Sequence, residues 1–256
     1  MQDLQAHFRV LAVNLYGYGE TSAWNEEATQ TIADQAELVL SLVREFPGPV
    51  RVLGHSFGGA VPSRAATLLG TRLSHLFLFE PTLFHLLAQN GRLEAYAEAA
   101  ALRDFIKFHG QREEWSAVAE RFVDYWTGDG GWAATPDDRR LAYMQLLRPN
   151  LFEWDCRESD RTTIEQFAAI TARTMFALSA DARRPIREIA QLFAVKCPRC
   201  AVVGVAEGGH MAPLTHPHVV TPIIVGLLRK DIESGTKRRP ADAAPNYSNR
   251  ALSFST

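Results

Sequence analysis

The most informative stretch of this 256-residue chain is Val50-Arg51-Val52-Leu53-Gly54-His55-Ser56-Phe57-Gly58-Gly59. A run with β-branched residues ends there in the pattern G-x-S-x-G and leads directly into an alanine-rich run. This order indicates a strand, a sharp turn with serine at its apex, and a helix. Glycines two residues before and two after the serine let the strand and the helix approach closely. The pattern alone is common, but in this setting it predicts that Ser56 is a nucleophile.

Strands and helices alternate along much of the remaining chain. Short apolar runs indicate buried strands, and apolar residues at helical spacing indicate helices. The predicted strands are residues 8–14, the run before Gly54, and residues 76–79, 174–178 and 201–205. The predicted helices are residues 29–46, 57–69, 184–195 and 215–229, with Thr215 as the N-cap of the last one. The alternation predicts an α/β fold, a mostly parallel sheet with helices on both faces.

The sequence divides into a core, an inserted helical segment and a tail. Residues 1–81 and 168–232 carry the strand patterns and form the predicted α/β core. Residues 82–167 lack strand patterns and are helical and rich in aromatic side chains, which predicts a cap over a pocket. Residues 233–256 are polar and rich in Ser, Asn, Pro and Ala, so we expect a disordered tail there.

The composition is that of an ordinary globular protein, with 46% hydrophobic residues and a net charge of −2. Such a charge gives no field that would attract nucleic acid or an anionic membrane. Residues 219–228 are the most apolar stretch near the end, and they fall far short of the roughly 20 residues that span a bilayer. Residues 1–9 lack the pattern of a signal peptide. We expect a cytoplasmic protein with a small-molecule substrate and no nucleic-acid or membrane partner, and the sequence does not predict its oligomeric state.

The cysteines do not indicate a metal site or a cofactor. Cys197 and Cys200 have redox or metal spacing, but no second ligand pair accompanies them and they lead into a predicted strand rather than a helix. The third cysteine, Cys156, lies far from them in the sequence. We therefore expect no metal and no cofactor.

At four points the sequence resembles the α/β-hydrolase superfamily, and the resemblance extends from residue 8 to about residue 230. Residues 14–21, N-L-Y-G-Y-G-E-T, resemble the family's D-x-x-G-x-G-x-S loop, with Asn14 in place of the aspartate. Ser56 matches the family's nucleophile, and the helical segment 82–167 is similar to its cap. Residues 208–211, G-G-H-M, resemble the loop that carries the catalytic histidine. The resemblance implies the α/β-hydrolase fold and a nucleophile, an acid and a histidine in that order.

A serine hydroxyl is a poor nucleophile at neutral pH, so Ser56 needs a base, for which His210 is the candidate. A carboxylate must then orient the imidazole, and the sequence offers Glu80 and Asp181. Asp181 has the position that is commonest in the family, whereas Glu80 resembles the acid of some haloalkane dehalogenases. Asp181 is flanked by arginines that would pair with it at the surface, and Glu80 follows an apolar strand, where a carboxylate needs a partner. This favours Glu80 by a small margin, and both stay open.

The sharp turn around Ser56, from Gly54 to Gly58, is a nucleophile elbow, and it also indicates the kind of reaction. The resemblance implies an aspartate at this position in the dehalogenase and epoxide-hydrolase branches of the superfamily. This chain has Ser56 there instead, which favours a mechanism through an acyl-enzyme. We expect a small, largely apolar substrate, cleaved at an ester, an amide, a thioester or a carbon–carbon bond next to a ketone. The backbone N–H of Phe57 is the predicted oxyanion donor. The predicted substrate-binding residues are Phe84, Tyr125, Trp126 and Met211.

The family resemblance also raises an expectation about the N-terminus. Family members have two or three strands and an H-G loop, which donates a second oxyanion N–H, before the strand that corresponds to residues 8–14. We therefore expect an N-terminally truncated fold. The alternative function is an inactive hydrolase-fold remnant or a binding protein, because losing one oxyanion donor costs about 100- to 1,000-fold in rate.

Overall fold

The structure is a computed structural model that describes residues 2–25 and 27–235. These residues form a four-stranded sheet of β1 Val50–His55, β2 Leu73–Phe79, β3 Arg173–Ser179 and β4 Cys200–Val205, in the order β1-β2-β3-β4. All neighbouring strands are parallel. The predicted parallel sheet and the four later strands are therefore confirmed.

The predicted strand at residues 8–14 is wrong. No strand is assigned there, and none of the four strands pairs with this segment. Phe8 and Val10 pack against an apolar cluster at the sheet, whereas Leu11 and Val13 are exposed. The apolar residues of this segment therefore reflect an extended chain that packs one side against the sheet. A strand also requires a neighbour that supplies backbone hydrogen bonds, and composition does not reveal whether one is there.

Helices fill the connections between the strands and flank the sheet. They are α1 Gln2–Gln5, α2 Ile32–Arg44, α3 Phe57–Leu69, α4 His85–Gln89, α5 Leu93–Gly110, α6 Trp115–Thr127, α7 Gly131–Ala134, α8 Asp137–Leu146, α9 Asn150–Ser159, α10 Ile164–Ala168, α11 Arg184–Lys196, α12 Ala212–Thr215 and α13 Pro217–Gly235. Short 3₁₀ turns occupy Gly70–Arg72 and Gly209–Met211. Residues 57–69 and 184–195 are helical as predicted.

Two helix starts differ from the prediction because of local capping. Helix α2 begins at Ile32, not residue 29, since Thr31 and Asp34 form a capping box. The predicted N-cap Thr215 is wrong, because Thr215 is the last residue of α12 and its hydroxyl donates to the carbonyl of Met211. A separate helix, α13, starts after it at Pro217.

Apolar side chains cover both faces of the sheet. On one face Phe176 of β3 packs with α3 and α11, and on the other its neighbour Ala177 packs with α13. Successive strand residues point to opposite faces, so each strand contributes to both layers. The predicted helices on both faces are therefore confirmed. The loops that follow the strands lie at the carboxyl edge of the sheet, which the helices on its two faces do not occupy.

The segment 82–167 contains helices α4 to α10. Its interpretation as a cap, and the boundaries predicted for the core, stay predictions. Residues 233–235 of the predicted tail belong to α13, and residues 236–256 lie outside the described residues. In the part of the chain that is described, no single helix has the length and composition to cross a membrane. Gly209–Thr215 and Pro217–Arg229 pass such a test only as a pair bent by 85°.

Candidate active site

Ser56 lies at the apex of the turn between β1 and α3, as predicted. Its backbone has φ 56° and ψ −127°, in a region that residues other than glycine rarely adopt. Its N–H donates to the carbonyl of Phe79 at 3.0 Å, which extends the pairing of β1 with β2 by one residue. The strained turn is therefore anchored to the sheet, and the serine is held at the carboxyl edge of the strands.

The two glycines of the pattern have different roles. A Cβ at Gly54 would lie 2.1 Å from the carbonyl oxygen of Gly58, so only glycine fits between strand and helix there. A Cβ at Gly58 would meet nothing within 4 Å. The second close approach is at Gly59, where a Cβ would lie 3.1 Å from Pro81. The expectation of crowding is correct for Gly54 and wrong for Gly58.

Glu80 follows β2 and is fully buried. Its backbone also has a positive φ, 44°, and its N–H donates to the carbonyl of Ala177 at 2.9 Å. One carboxylate oxygen, Oε1, accepts hydrogen bonds from the N–H of Ser179, at 2.8 Å, and from its hydroxyl. The other, Oε2, lies 2.7 Å from Nδ1 of His210. Strand ends thus hold the carboxylate in place.

His210 lies in the 3₁₀ turn Gly209–Met211 and joins the other two side chains. Its Nδ1 donates to Glu80, which leaves Nε2 as the acceptor for the hydroxyl of Ser56 at 3.0 Å. Serine, imidazole and carboxylate therefore form one continuous row of hydrogen bonds. This is the arrangement that a base-activated serine requires.

Asp181, the alternative acid, is placed elsewhere. It is exposed, and its carboxylate lies near Gly209, where a Cβ would be 3.4 Å from Oδ2. Both ring nitrogens of His210 are engaged by Glu80 and Ser56. Of the two predicted acids, the structure brings Glu80 to the imidazole.

Burial controls the ionisation of the row. It lowers the pKa of His210 below its usual value, and the bond to Glu80 only partly offsets this. Burial opposes ionisation of Glu80, but hydrogen bonds from His210 and Ser179 outweigh it and hold the pKa of this carboxyl below its usual value. The imidazole is therefore neutral and the carboxylate charged at neutral pH, as a general base and its orienting group must be.

His55 is the other histidine close to the elbow. Its Nε2 donates to the backbone carbonyl of His210 at 2.8 Å, and the two rings lie 4.8 Å apart. Burial lowers the pKa of His55 to about 3. A neutral ring bonded in this way supports the turn that carries His210.

Trp126 of α6 lies directly against the site. Its ring stacks on the imidazole of His210 with 3.7 Å between centroids and 18° between planes. Within the described chain its indole N–H is buried without a hydrogen-bond partner. One side chain of the segment between β2 and β3 therefore lies directly on the imidazole.

The other predicted substrate-binding residues lie at varied positions. Phe84 stacks on Trp154 at 5.8 Å and lines a cavity of about 130 Å³. The hydroxyl of Tyr125 donates to Glu98 at 3.0 Å. Met211 follows His210 and is half-buried. The role predicted for these residues stays a prediction.

Phe57, the predicted oxyanion donor, opens α3 directly after the serine. The first N–H groups of a helix have no partner within that helix and carry partial positive charge. The N–H of Phe57 is thus available to an anion that forms at the serine.

Sequence reasoning did not identify three residues around this row. Ser179 binds the Glu80 carboxylate, and the N–H of Thr82 donates to the carbonyl of Ser56 at 3.2 Å. Arg157 of α9 donates to the Thr82 hydroxyl at 3.1 Å. Ser179 could have been found, because it ends β3 beside the strand that leads to Glu80, and parallel strands end at one edge of a sheet. The pattern of α9 contains no such signal for Arg157.

Comparison with known proteins identifies the family. A sequence profile described as "Alpha/beta hydrolase family" matches residues 1–222. The chain belongs to the alpha/beta hydrolase family. The resemblance inferred from the elbow, the glycine loop and the histidine loop is therefore confirmed, and so is the predicted fold class.

Solved structures agree with the alpha/beta hydrolase fold. MGS-M2, an alpha/beta hydrolase enzyme from a Medee basin deep-sea metagenome library, has a TM-score of 0.67 and 13% identity, over 84% of this chain and 78% of that one. An esterase from Exiguobacterium antarcticum has a TM-score of 0.66 and 16% identity, over 84% and 80% of the two chains. At these identities the similarity concerns the fold.

One curated sequence relative of this alpha/beta hydrolase is protein phosphatase methylesterase 1 of Bos taurus. The two are 36% identical over 62 residues, which is 23% of this chain and 16% of the bovine protein. The chain thus matches only a small part of that relative's length.

Proposed function

We propose that this chain is a serine hydrolase that cleaves small, largely apolar carboxylic esters through an acyl-enzyme. The row of hydrogen bonds from Ser56 through His210 to Glu80 carries the proposal. Its distances, 3.0 Å and 2.7 Å, are those of a nucleophile and its base, and of that base and its orienting group. The low pKa of His210 keeps the base neutral at the pH of the cell.

The reaction would proceed in two similar halves. Ser56 Oγ attacks the ester carbonyl carbon while its proton passes to Nε2 of His210, and the N–H of Phe57 stabilises the oxyanion. The bond to the leaving oxygen then breaks, and the alcohol takes the proton from the imidazolium. Water attacks the acyl carbon with His210 as base again, and the acid leaves as Oγ regains the proton.

Two observations support an ester as the first substrate class to test. Trp126 stacks on the ring of His210, and Phe84 and Trp154 of the same segment 82–167 stack on each other, so an apolar acyl group suits the surroundings. The partial similarity to a methylesterase, and the shared fold of an esterase, point to the same chemistry. The same three residues, Ser56, His210 and Glu80, could also cleave amides, thioesters and carbon–carbon bonds next to a ketone.

The test is hydrolysis of 4-nitrophenyl esters from acetate to octanoate by the purified chain. Serine is replaced in two matched variants, Ser56→Ala and Ser41→Ala, the latter on α2 away from the elbow. We expect hydrolysis by the wild type and by Ser41→Ala, and none above background by Ser56→Ala. Hydrolysis that persists in a folded Ser56→Ala variant would contradict the proposal. A folded wild type that cleaves no acyl substrate would favour the binding-protein alternative.

A further inference from the structure

Arg157 is a buried cation that the proposed reaction does not use. Its side chain is only 6% exposed. Nε donates to the hydroxyl of Thr82 at 3.1 Å, and Nη2 donates to Oε2 of Glu153 at 3.0 Å. Nη1 is buried and has no hydrogen-bond partner in the described part of the chain.

A buried donor without a partner is uncommon and calls for an explanation. Buried polar groups are nearly always hydrogen-bonded, and leaving a charged donor unpaired costs more than leaving a neutral one. Glu153 does not relieve this, because its oxygens already accept from Tyr18, Asn150 and Nη2 of Arg157. The two N–H groups of Nη1 therefore have no acceptor in the described part of the chain.

The position of this guanidinium relates it to the elbow. It lies over the ring of Phe57, with Cζ 4.5 Å from the ring centroid, and 4.6 Å from the centroid of Trp154. Its partner Thr82 holds the carbonyl of Ser56 through its own N–H. Arg157 thus touches the residue that follows the nucleophile and the residue that positions it.

A cavity of about 130 Å³ begins at Arg157 and extends between α4, α5 and α9. Phe84 and Trp154 form apolar walls. Its charged lining residues are Arg103, Arg157, Arg161 and Glu158. Arg103 pairs with Glu158, whereas Arg161 donates to backbone carbonyls. The cavity is therefore apolar in part, and Glu153 and Glu158 pair with two of its arginines, Arg157 and Arg103.

We propose that Arg157 binds a carboxylate at the far end of the substrate's acyl group, so that the preferred substrates are monoesters of dicarboxylic acids. The inference rests on the proposed function and narrows its substrate class. A guanidinium N–H to a carboxylate oxygen is a charge-assisted bond, stronger than a neutral one.

A single negative charge fits this position better than a phosphate does. Nη1 offers two N–H groups, and Nη2 already pairs with the carboxylate of Glu153. A dianion would add more repulsion from Glu153 than a carboxylate does in a region of low dielectric.

The test compares matched ester pairs with the wild-type chain. Mono(4-nitrophenyl) adipate is compared with 4-nitrophenyl 6-oxoheptanoate, its neutral analogue of the same length, and the suberate pair is treated likewise. One charge-assisted bond implies a preference of about tenfold to hundredfold in kcat/KM for the carboxylate member of at least one pair. A ratio of one or below in both pairs, in a chain that hydrolyses the neutral esters, overturns the inference and leaves the proposed function standing.

Variants assign the preference to Arg157. Arg157→Met removes the guanidinium, and Arg157→Lys keeps a cation beside Glu153 in case the first variant does not fold. Arg184→Met, on the surface of α11, is the control for loss of one positive charge. We expect the ratio within each pair to fall about tenfold or more in both Arg157 variants and to stay unchanged in the control. An unchanged ratio in a folded Arg157 variant, or an equal fall in the control, overturns the inference.

Binding supplies a readout that does not depend on catalysis. The Ser56→Ala variant is titrated by calorimetry with the adipate monoester and with its neutral analogue, and the double variant Ser56→Ala/Arg157→Lys is treated likewise. We expect the carboxylate ester to bind about tenfold more tightly to the single variant, and this difference to vanish in the double variant. Equal affinity for both esters in the single variant overturns the inference even if the chain proves catalytically inactive.

Discussion

Glu80 and His210 lie 130 residues apart in the chain, and their side chains meet at 2.7 Å between Oε2 and Nδ1. The carboxylate is held from its other side by Ser179, so the imidazole is oriented by a group that is itself fixed. Replacing Glu80 by Gln keeps the shape of the side chain but presents an amide to Nδ1. The ring would then adopt the wrong tautomer to accept the serine proton.

We therefore expect Glu80→Gln to lower kcat for ester hydrolysis by about 10⁴-fold. Asp181→Asn is the matched control, because that carboxylate is exposed and does not reach the imidazole. It should retain kcat to within about twofold, because both ring nitrogens of His210 are engaged by Glu80 and Ser56 rather than by Asp181. The reverse ranking of the two variants in steady-state kinetics would assign the acid to Asp181.

The pH dependence of kcat/KM should report the buried state of His210. Only the neutral imidazole accepts the proton of Ser56, and burial lowers the pKa of this group in the folded protein. The protonated form therefore disappears at a lower pH than in a free histidine. We expect the acid limb of the profile to have its midpoint below 6.5, the usual value. A midpoint above 6.5 would show that the imidazole is not desolvated as the structure has it.

Trp126 contributes to that desolvation through its stack on His210. Replacing it by Ala admits water to the imidazole, so the pKa of His210 should rise toward its usual value. We expect the acid limb of kcat/KM to move to higher pH in Trp126→Ala and to stay in place in Trp126→Phe, which keeps an aromatic ring. If the acid limb of kcat/KM has the same midpoint in the wild type and in Trp126→Ala, the stacked indole does not lower the pKa of His210.

The two glycines around Ser56 should differ in stability measurements. Gly54→Ala would place a methyl group 2.1 Å from a backbone oxygen, so strand and helix must separate. We expect a loss of about 3 kcal/mol or more in the free energy of unfolding in urea. Gly58→Ala adds a methyl group in open space within a helix and should gain roughly 0.5–1 kcal/mol. Equal losses in both variants would contradict the different packing of the two positions.

Much of the fold could be predicted from local patterns. The helix at residues 57–69 and the strands of the sheet follow from apolar runs and their spacing, because these patterns reflect which faces are buried. The segment 8–14 has the same kind of pattern and is not a strand. Pairing depends on what lies beside a segment in space, and a single run of residues carries no information about its neighbour.

The site could be predicted in part. Ser56 and His210 have recognisable local motifs, whereas the choice between Glu80 and Asp181 depends on which carboxylate reaches Nδ1 across the loops. Trp126 and Arg157 belong to helices whose approach to the core is set by packing over many residues. Nothing in their own sequence neighbourhood indicates that one covers the histidine and the other lies against the elbow.

Covalent labelling of Ser56 is the most direct test of the central claim. The wild-type chain is treated with a fluorophosphonate, and the adduct is located by mass spectrometry of peptides, with Ser56→Ala and Glu80→Gln in parallel. We expect a stoichiometric adduct on Ser56 in the wild type, none in Ser56→Ala and much slower labelling in Glu80→Gln. A folded wild-type chain that remains unlabelled, or an adduct on a residue other than Ser56, would contradict a serine activated by His210 and Glu80.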